Sequence, residues 1–228
     1  MRILITNDDG FGAPGMELLA KIASEFGEIV IVAPDSEQSG ISHRLSFEKP
    51  LKLQECGDSA FRVNGTPADC VRVAVAEFGS HFDWVLSGIN DGANLGCDIF
   101  YSGTVAAARE GCLLGIPAIA LSQYRRKYAA SFDWQGQAGV AREILHKYLS
   151  ASPRPRRWIN VNLPDVDPGA KSEMVECKVD GNPLPPSYVK TGAGLELHFK
   201  YCDRPRDAGT DTDVCLSGNI AVSHRDVV

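Results

Sequence analysis

The sequence predicts an α/β fold: a doubly wound, mostly parallel sheet with a hairpin-rich C-terminal extension. Three observations carry this. Short apolar runs such as Ile3-Leu4-Ile5, Ile29 to Ala33 and Ala118 to Leu121 lack the alternation of a half-exposed strand, so they suit strands buried on both faces. Segments of helical spacing lie between them, several opened by a proline or a hydroxyl cap. The loops after the runs are rich in Gly, Asn, Asp and Ser, the residues of turns.

In chain order, the first strand begins at Arg2. An acidic turn follows, Asn7-Asp8-Asp9-Gly10-Phe11-Gly12, and Pro14 sits in the first turn of a helix whose apolar face is Met16, Leu18, Leu19, Ile22 and Ala23. Ile29 to Ala33 is the second strand, ended by Pro34-Asp35, with Ser36-Glu37-Gln38-Ser39-Gly40 as the next turn. Between 44 and 63 a looser alternation predicts a small antiparallel insertion. Thr66-Pro67 opens a second helix, with Cys70, Val71, Ala74, Val75 and Phe78 on its apolar side. Asp83 to Ser87 is a strand, Gly88 to Gly96 a long turn, and Val105 starts a helix with Thr104 at its N-terminus. Pro117 to Ser122 is another strand, followed by a polar connection in which Arg125, Arg126 and Lys127 are expected to be solvated. Trp134 to Leu149 reads as a helix, Pro153 and Pro155 break the pattern, and Arg157 to Asn162 is one more strand. Residues 1–163 are therefore expected to form the catalytic core, and 164–228, interrupted by Pro183, Pro185 and Pro186, an extension for oligomerisation.

Composition narrows the class. With 228 residues and 44% of them hydrophobic, one large α/β domain has enough apolar material for its core. A net charge of -6 argues against a general nucleic-acid binder. No apolar run reaches the ~20 residues that cross a bilayer, and a strand beginning at Arg2 leaves no room for a secretory signal. Seven cysteines, an odd number without a C-x-x-C pair, point to reduced thiols and a cytoplasmic setting.

The chemistry gathers at strand ends. Asp8 and Asp9 follow the first strand, Ser39 the second, and Asn90 the strand near Asp83. In a doubly wound sheet these ends share one edge, where ligands bind at the switch of strand order. Two carboxylates ~4 Å apart repel by ~4 kcal/mol at an effective dielectric of about 20, and a hard divalent cation would offset that. Asn-Asp-Asp-Gly and Ser39-Gly40 read equally as ordinary polar turns, and Thr104 as a simple helix cap. Asn94, Ser102 and Thr104, beside a helix N-terminus, could supply donors to an anion opposite the cation. That layout suits metal-assisted phosphoester hydrolysis. A rival reading takes Gly10-Phe11-Gly12-Ala13-Pro14-Gly15 with Asp35 as a dinucleotide-binding pattern, hence an oxidoreductase. Asp8 and Asp9 intrude between strand and glycines, which counts against it. A second rival is a non-catalytic nucleotide sensor, which would bind but release no phosphate.

Several blocks together resemble the SurE survival-protein family of 5'/3'-nucleotidases, which are metal-dependent acid phosphatases. They are Asn7-Asp8-Asp9-Gly10 with Ala13-Pro14-Gly15, Val32-Ala33-Pro34-Asp35 with Ser39-Gly40, Gly65-Thr66-Pro67-Ala68-Asp69-Cys70, Ser87 to Gly96, and Tyr101-Ser102-Gly103-Thr104-Val105. The resemblance covers about Met1 to Ser122 and is loose beyond Asp165, where Arg204-Pro205-Arg206, Thr212-Asp213 and Gly218 survive. It implies a SurE-like fold, one divalent metal ion per subunit (Mg²⁺ or Mn²⁺) on Asp8, Asp9, Ser39 and Asn90, and phosphate held by Asn94, Ser102, Gly103 and Thr104. The implied activity is release of phosphate from nucleoside monophosphates, with short polyphosphate as a further substrate, by a homodimer or homotetramer. Asp8 is then expected nearest the chemistry, as general base toward water or as nucleophile.

Overall fold

Ile3, Leu4 and Ile5 are all fully buried, which places the first strand, β1 (Arg2–Thr6), at the centre of the molecule. The computed structural model describes residues 1–79, 81–126, 131–151, 156–167 and 169–227; Lys127, Pro153 and Pro155 lie outside them. The other strands are β2 (Glu28–Pro34), β3 (Leu53–Gly57), β4 (Ala60–Val63), β5 (Trp84–Asp91), β6 (Ala118–Gln123), β7 (Arg157–Leu163), β8 (Met174–Glu176), β9 (Tyr188–Thr191), β10 (Gly194–Leu197) and β11 (Ile220–Asp226). Nine form one sheet in the order β3-β4-β2-β1-β5-β6-β7-β11-β8. Pairing is parallel from β4 through β7, with β3 and β11 antiparallel to their neighbours β4 and β7.

The helices are α1 (Pro14–Ala23), α2 (Pro67–Phe78), α3 (Gly103–Leu113), α4 (Ala138–Leu149) and α5 (Asp211–Leu216). Alternate residues of β1 serve opposite layers. Ile3 and Ile5 pack with α1 and α4, while Leu4 packs with α2 and α3. Both faces are covered, so β1 reads as an unbroken apolar run. The α2 start is a capping box, Thr66 accepting from Asp69 N–H while Asp69 accepts from Thr66 N–H.

Strand order reverses around β1: β2 lies on one side and β5 on the other. The loops after β1 and β5 therefore flank the crevice in which such sheets bind ligands.

Four features differ from expectation. β5 runs on through Asn90 and Asp91, which pair with Ser122 and Gln123, where a turn is expected from Gly88. Arg125, expected in solvent, is 5% exposed and holds Asp91 at 2.7 and 3.0 Å, its guanidinium 4.4 Å from the Phe132 ring centroid. The tail beyond 163 is not all extension, since β11 returns to the central sheet beside β7. Helix α3 begins at Gly103, not Val105. The hairpin expected in the tail is present as β9–β10, a separate two-stranded sheet.

Candidate active site

The Asp8 carboxylate lies against the N-terminus of α3. Thr104 Oγ1 donates to Asp8 Oδ1, and a Cβ on Gly103 would stand 2.8 Å from Asp8 Cβ and 3.0 Å from Oδ2. Only glycine gives the carboxylate that approach to the backbone. Ser102 is the helix cap, its hydroxyl accepting from Val105 N–H at 3.0 Å. Thr104, expected at the helix end, thus turns its hydroxyl to Asp8 instead. Burial pushes the Asp8 carboxyl up from its ordinary value, against the Thr104 hydroxyl and the Thr104 and Gly103 amides.

Asp9 reaches across to β5, where Asp91 N–H donates to its Oδ2 at 3.0 Å. Burial and then the charge of Asp8 push its pKa up to about 7, with Asp91 and Glu37 adding to the effect. Asn90 adjoins Asp91 on this rim; its Nδ2 donates to Gly92 O at 2.7 Å, leaving Oδ1 as the oxygen it can offer. The loop of Ser39 meets the loop of Asp8 through Gln38 N–H and Asp8 O, at 2.8 Å. Ser39 Oγ donates to Glu37 Oε1 at 2.6 Å. Asn7 Oδ1 is buried without a donor among the described residues.

Asn94 is tied into the sheet. Its Nδ2 donates to Ser122 Oγ at 2.7 Å and its backbone N–H to Asn162 Oδ1 at 2.7 Å, while its carbonyl accepts from Asn160 and Asn162. One amide hydrogen remains for any ligand.

A charged network escaped the sequence reading. Buried Glu110 accepts from His43 at 2.8 Å and Arg72 at 2.6 Å, and Arg109 Nε donates to His43 Nδ1 at 2.8 Å. Burial raises the Glu110 pKa, but these partners outweigh it and hold the carboxyl below its usual value. Ser42 adds bonds to the carbonyls of Phe100 and Tyr101. Together they fasten the segment after Ser39 to α3 and to the residues that lead into it. Contacts 38 to 67 positions apart leave no periodicity to read.

Asp9 sets a pH dependence. Its folded pKa of about 7 lies above the ordinary 3.8, so between these values the folded state holds a proton that the unfolded state has lost. Stability of the metal-free chain is therefore expected to fall as pH rises through that window. Asp9→Asn should reduce the fall in a series of thermal melts, and an unchanged slope would show that Asp9 is not the group responsible.

Comparison with known proteins places this geometry. A family model described as survival protein SurE matches residues 3–182. The 5'-nucleotidase SurE of Methylocella silvestris is 45% identical over 236 residues, covering 98% of this chain and 92% of that protein. The 5'-nucleotidase SurE of Methylorubrum populi is 46% identical over 172 residues, 74% of this chain and 68% of that protein. The crystal structure of the SurE protein from Aquifex aeolicus matches with a TM-score of 0.83 at 32% identity, covering 100% of this chain and 94% of the other. The chain belongs to the survival protein SurE family.

Proposed function

We propose that this chain is a divalent-metal-dependent phosphatase that releases phosphate from nucleoside 5'- and 3'-monophosphates, with short polyphosphate as a further substrate. The observation that carries the reading is the Asp8 carboxylate set against the amides of α3 at the switch of strand order. The names of the relatives, 5'-nucleotidase SurE, support the substrate class.

The donor set fits a hard cation. Burial raises the proton affinity of both Asp8 and Asp9, and the charge of Asp8 raises that of Asp9 further; Asn90 keeps an amide oxygen, and Ser39 donates its own proton and so keeps lone pairs. Among the described residues there is no group of three or more His, Cys, Asp or Glu placed to hold a metal, and the set proposed here has two carboxylates completed by a hydroxyl and an amide oxygen. Asp8, Asp9, Ser39 and Asn90 would hold Mg²⁺ or Mn²⁺. When bound, such an ion offsets the carboxylate repulsion and acts as a Lewis acid toward the phosphoryl group.

The remaining work belongs to the chain. The α3 amides, with Ser102, Thr104 and the spare Asn94 hydrogen, would bind the phosphoryl oxygens and stabilise charge growing on them. Thr104 would rotate its hydroxyl from Asp8 toward the ligand, freeing Asp8 Oδ1 to take a proton from attacking water. In the alternative version Asp8 attacks phosphorus itself, and a trapped acyl-phosphate on Asp8 would identify it. The test of the reading is phosphate release from nucleoside monophosphates and polyphosphate, with Mn²⁺, Mg²⁺ or chelator. Release that needs metal supports it, and tight nucleotide binding with no release under any metal would replace it with a sensor.

A second reading concerns 164–228 as the oligomer-forming segment of a homodimer or homotetramer. Hairpin β9–β10 exposes Tyr188, Val189, Leu195 and Leu197, four large apolar side chains on one small sheet. Leu195→Asp with Leu197→Asp should lower the sedimentation mass toward that of one chain, and an unchanged mass would remove the hairpin from the interface. No helix of the described residues is long and apolar enough to cross a membrane. The seven free cysteines support the cytoplasmic setting proposed here.

A further inference from the structure

A cavity of about 300 Å³ opens beside the carboxyl end of β2, its walls including Asp35, Gln38, Ile41, Arg44, Lys49 and Asn64. Two of its lining residues adjoin the candidate active site. Gln38 N–H is bonded to the Asp8 carbonyl, and Ile41 Cγ2 would lie 3.0 Å from a Cβ on Gly103. A group esterified to a phosphate at the start of α3 therefore has this space next to it.

The lining states what that group is. Thr66 also borders the cavity, but the N-terminus of α2 is already closed by Asp69, which accepts from Thr66 N–H at 2.9 Å and from Ser46 N–H at 2.9 Å. Those bonds occupy the capped end of α2, and the Asp35 carboxylate shares the lining with the cations Arg44 and Lys49. No aromatic ring is in the lining. Hydrogen-bonding groups dominate instead. Asn64 Oδ1 accepts from Lys52 N–H at 2.7 Å, leaving its –NH₂ as the group to offer. Asp35 is exposed, with Oδ1 accepting from Ser36 Oγ at 3.1 Å. It stands directly after β2, the place where dinucleotide folds set an acid that takes ribose hydroxyls.

We propose that this cavity is a ribose subsite in which Asp35 accepts hydrogen bonds from the sugar hydroxyls, so that the chain reads the sugar of its substrate. The proposal rests on the nucleotidase reading above and names the part of the substrate that the site recognises.

The test compares kcat/KM for AMP, dAMP and p-nitrophenyl phosphate in the native chain, Asp35→Ala and Asp35→Asn, with Mn²⁺ present. A hydroxyl bonded to a carboxylate predicts that the native chain favours AMP over dAMP by about tenfold or more. Asp35→Ala should bring that ratio toward one and lower the ratio of AMP to p-nitrophenyl phosphate by about the same factor, with Asp35→Asn between. Asp35 is exposed, and a thermal melt checks that each variant is folded. Ratios in Asp35→Ala equal to those of the native chain would overturn the subsite. If none of the three esters is cleaved, the nucleotidase reading fails by itself. Calorimetric titration with AMP and dAMP then decides the subsite: a preference for AMP that Asp35→Ala removes upholds it, and equal affinities for both sugars overturn it.

Discussion

Asp8→Asn is expected to lower kcat/KM for nucleotide hydrolysis by about 10²–10⁴-fold, the range for loss of a general base, while the chain stays folded. The amide has the size of the carboxylate and can still accept from Thr104 through its oxygen. It cannot take a proton from water, and it is a poorer partner for a cation. Stability moves the other way. Burial disfavours the charged form of Asp8, so a neutral side chain relieves a cost of the metal-free fold. Initial rates of phosphate release and a thermal melt on the same preparation separate the two effects. Activity equal to the native chain would contradict the role given to Asp8. Activity lost together with the fold would leave Thr104→Val, which removes only the hydroxyl, as the variant that reports on the same contact.

Arg204→Ala is expected to destabilise the chain by about 3–5 kcal/mol, the cost of breaking a buried ion pair from one side. The guanidinium lies 2.6 Å from Asp98 Oδ2, donates to Leu95 O at 3.2 Å and sits 4.9 Å from the Tyr201 ring centroid. Its side chain is 1% exposed and that of Asp98 11% exposed, so truncation leaves a carboxylate served by the Tyr201 hydroxyl and the Leu95 amide without its counter-charge. The neighbouring Arg206 gives the contrast. Its contact to Asp213 is 3.5 Å long with both side chains about a third exposed, and such pairs contribute about 0–1 kcal/mol. Against a total stability of about 5–15 kcal/mol, the first loss is severe and the second small. For a chain of this size the first corresponds to a Tm lower by about 10 °C. Asp98 and Leu95 lie in the segment that leads to Ser102, so the tail holds the loop before α3 in place. Equal melts for Arg204→Ala and Arg206→Ala would show that the buried pair carries no such weight.

Much of this organisation is legible in the residues, for a physical reason. A strand covered on both faces has no polar side to show, so Ile3 to Ile5 and Ala118 to Leu121 announce themselves as unbroken apolar runs. Proline and hydroxyl caps mark helix starts because they answer the unpaired amides there, as Thr66 and Ser102 do. What escapes is whatever depends on a partner distant in the chain. Gly88 and Asn90 look like turn residues, yet Ile89 is fully buried and the strand continues because β6 is there to pair with it. Arg125 looks like part of a solvated charge run, and only the fold reveals Asp91 beside it. Arg204 and Arg206 read alike in sequence and differ wholly in burial. The Asp8–Thr104 contact spans 96 positions. Its two ends carry separate turn and cap signals, and their meeting follows from the order of strands.

The measurement that bears most directly on the account is a crystal soaked in Mn²⁺ and read by anomalous scattering at the manganese edge. The account predicts one peak per chain within coordination distance of oxygens from Asp8, Asp9, Ser39 and Asn90, lost in Asp9→Asn. Manganese bound elsewhere, with those four side chains left without a cation at concentrations that support phosphate release, would contradict it.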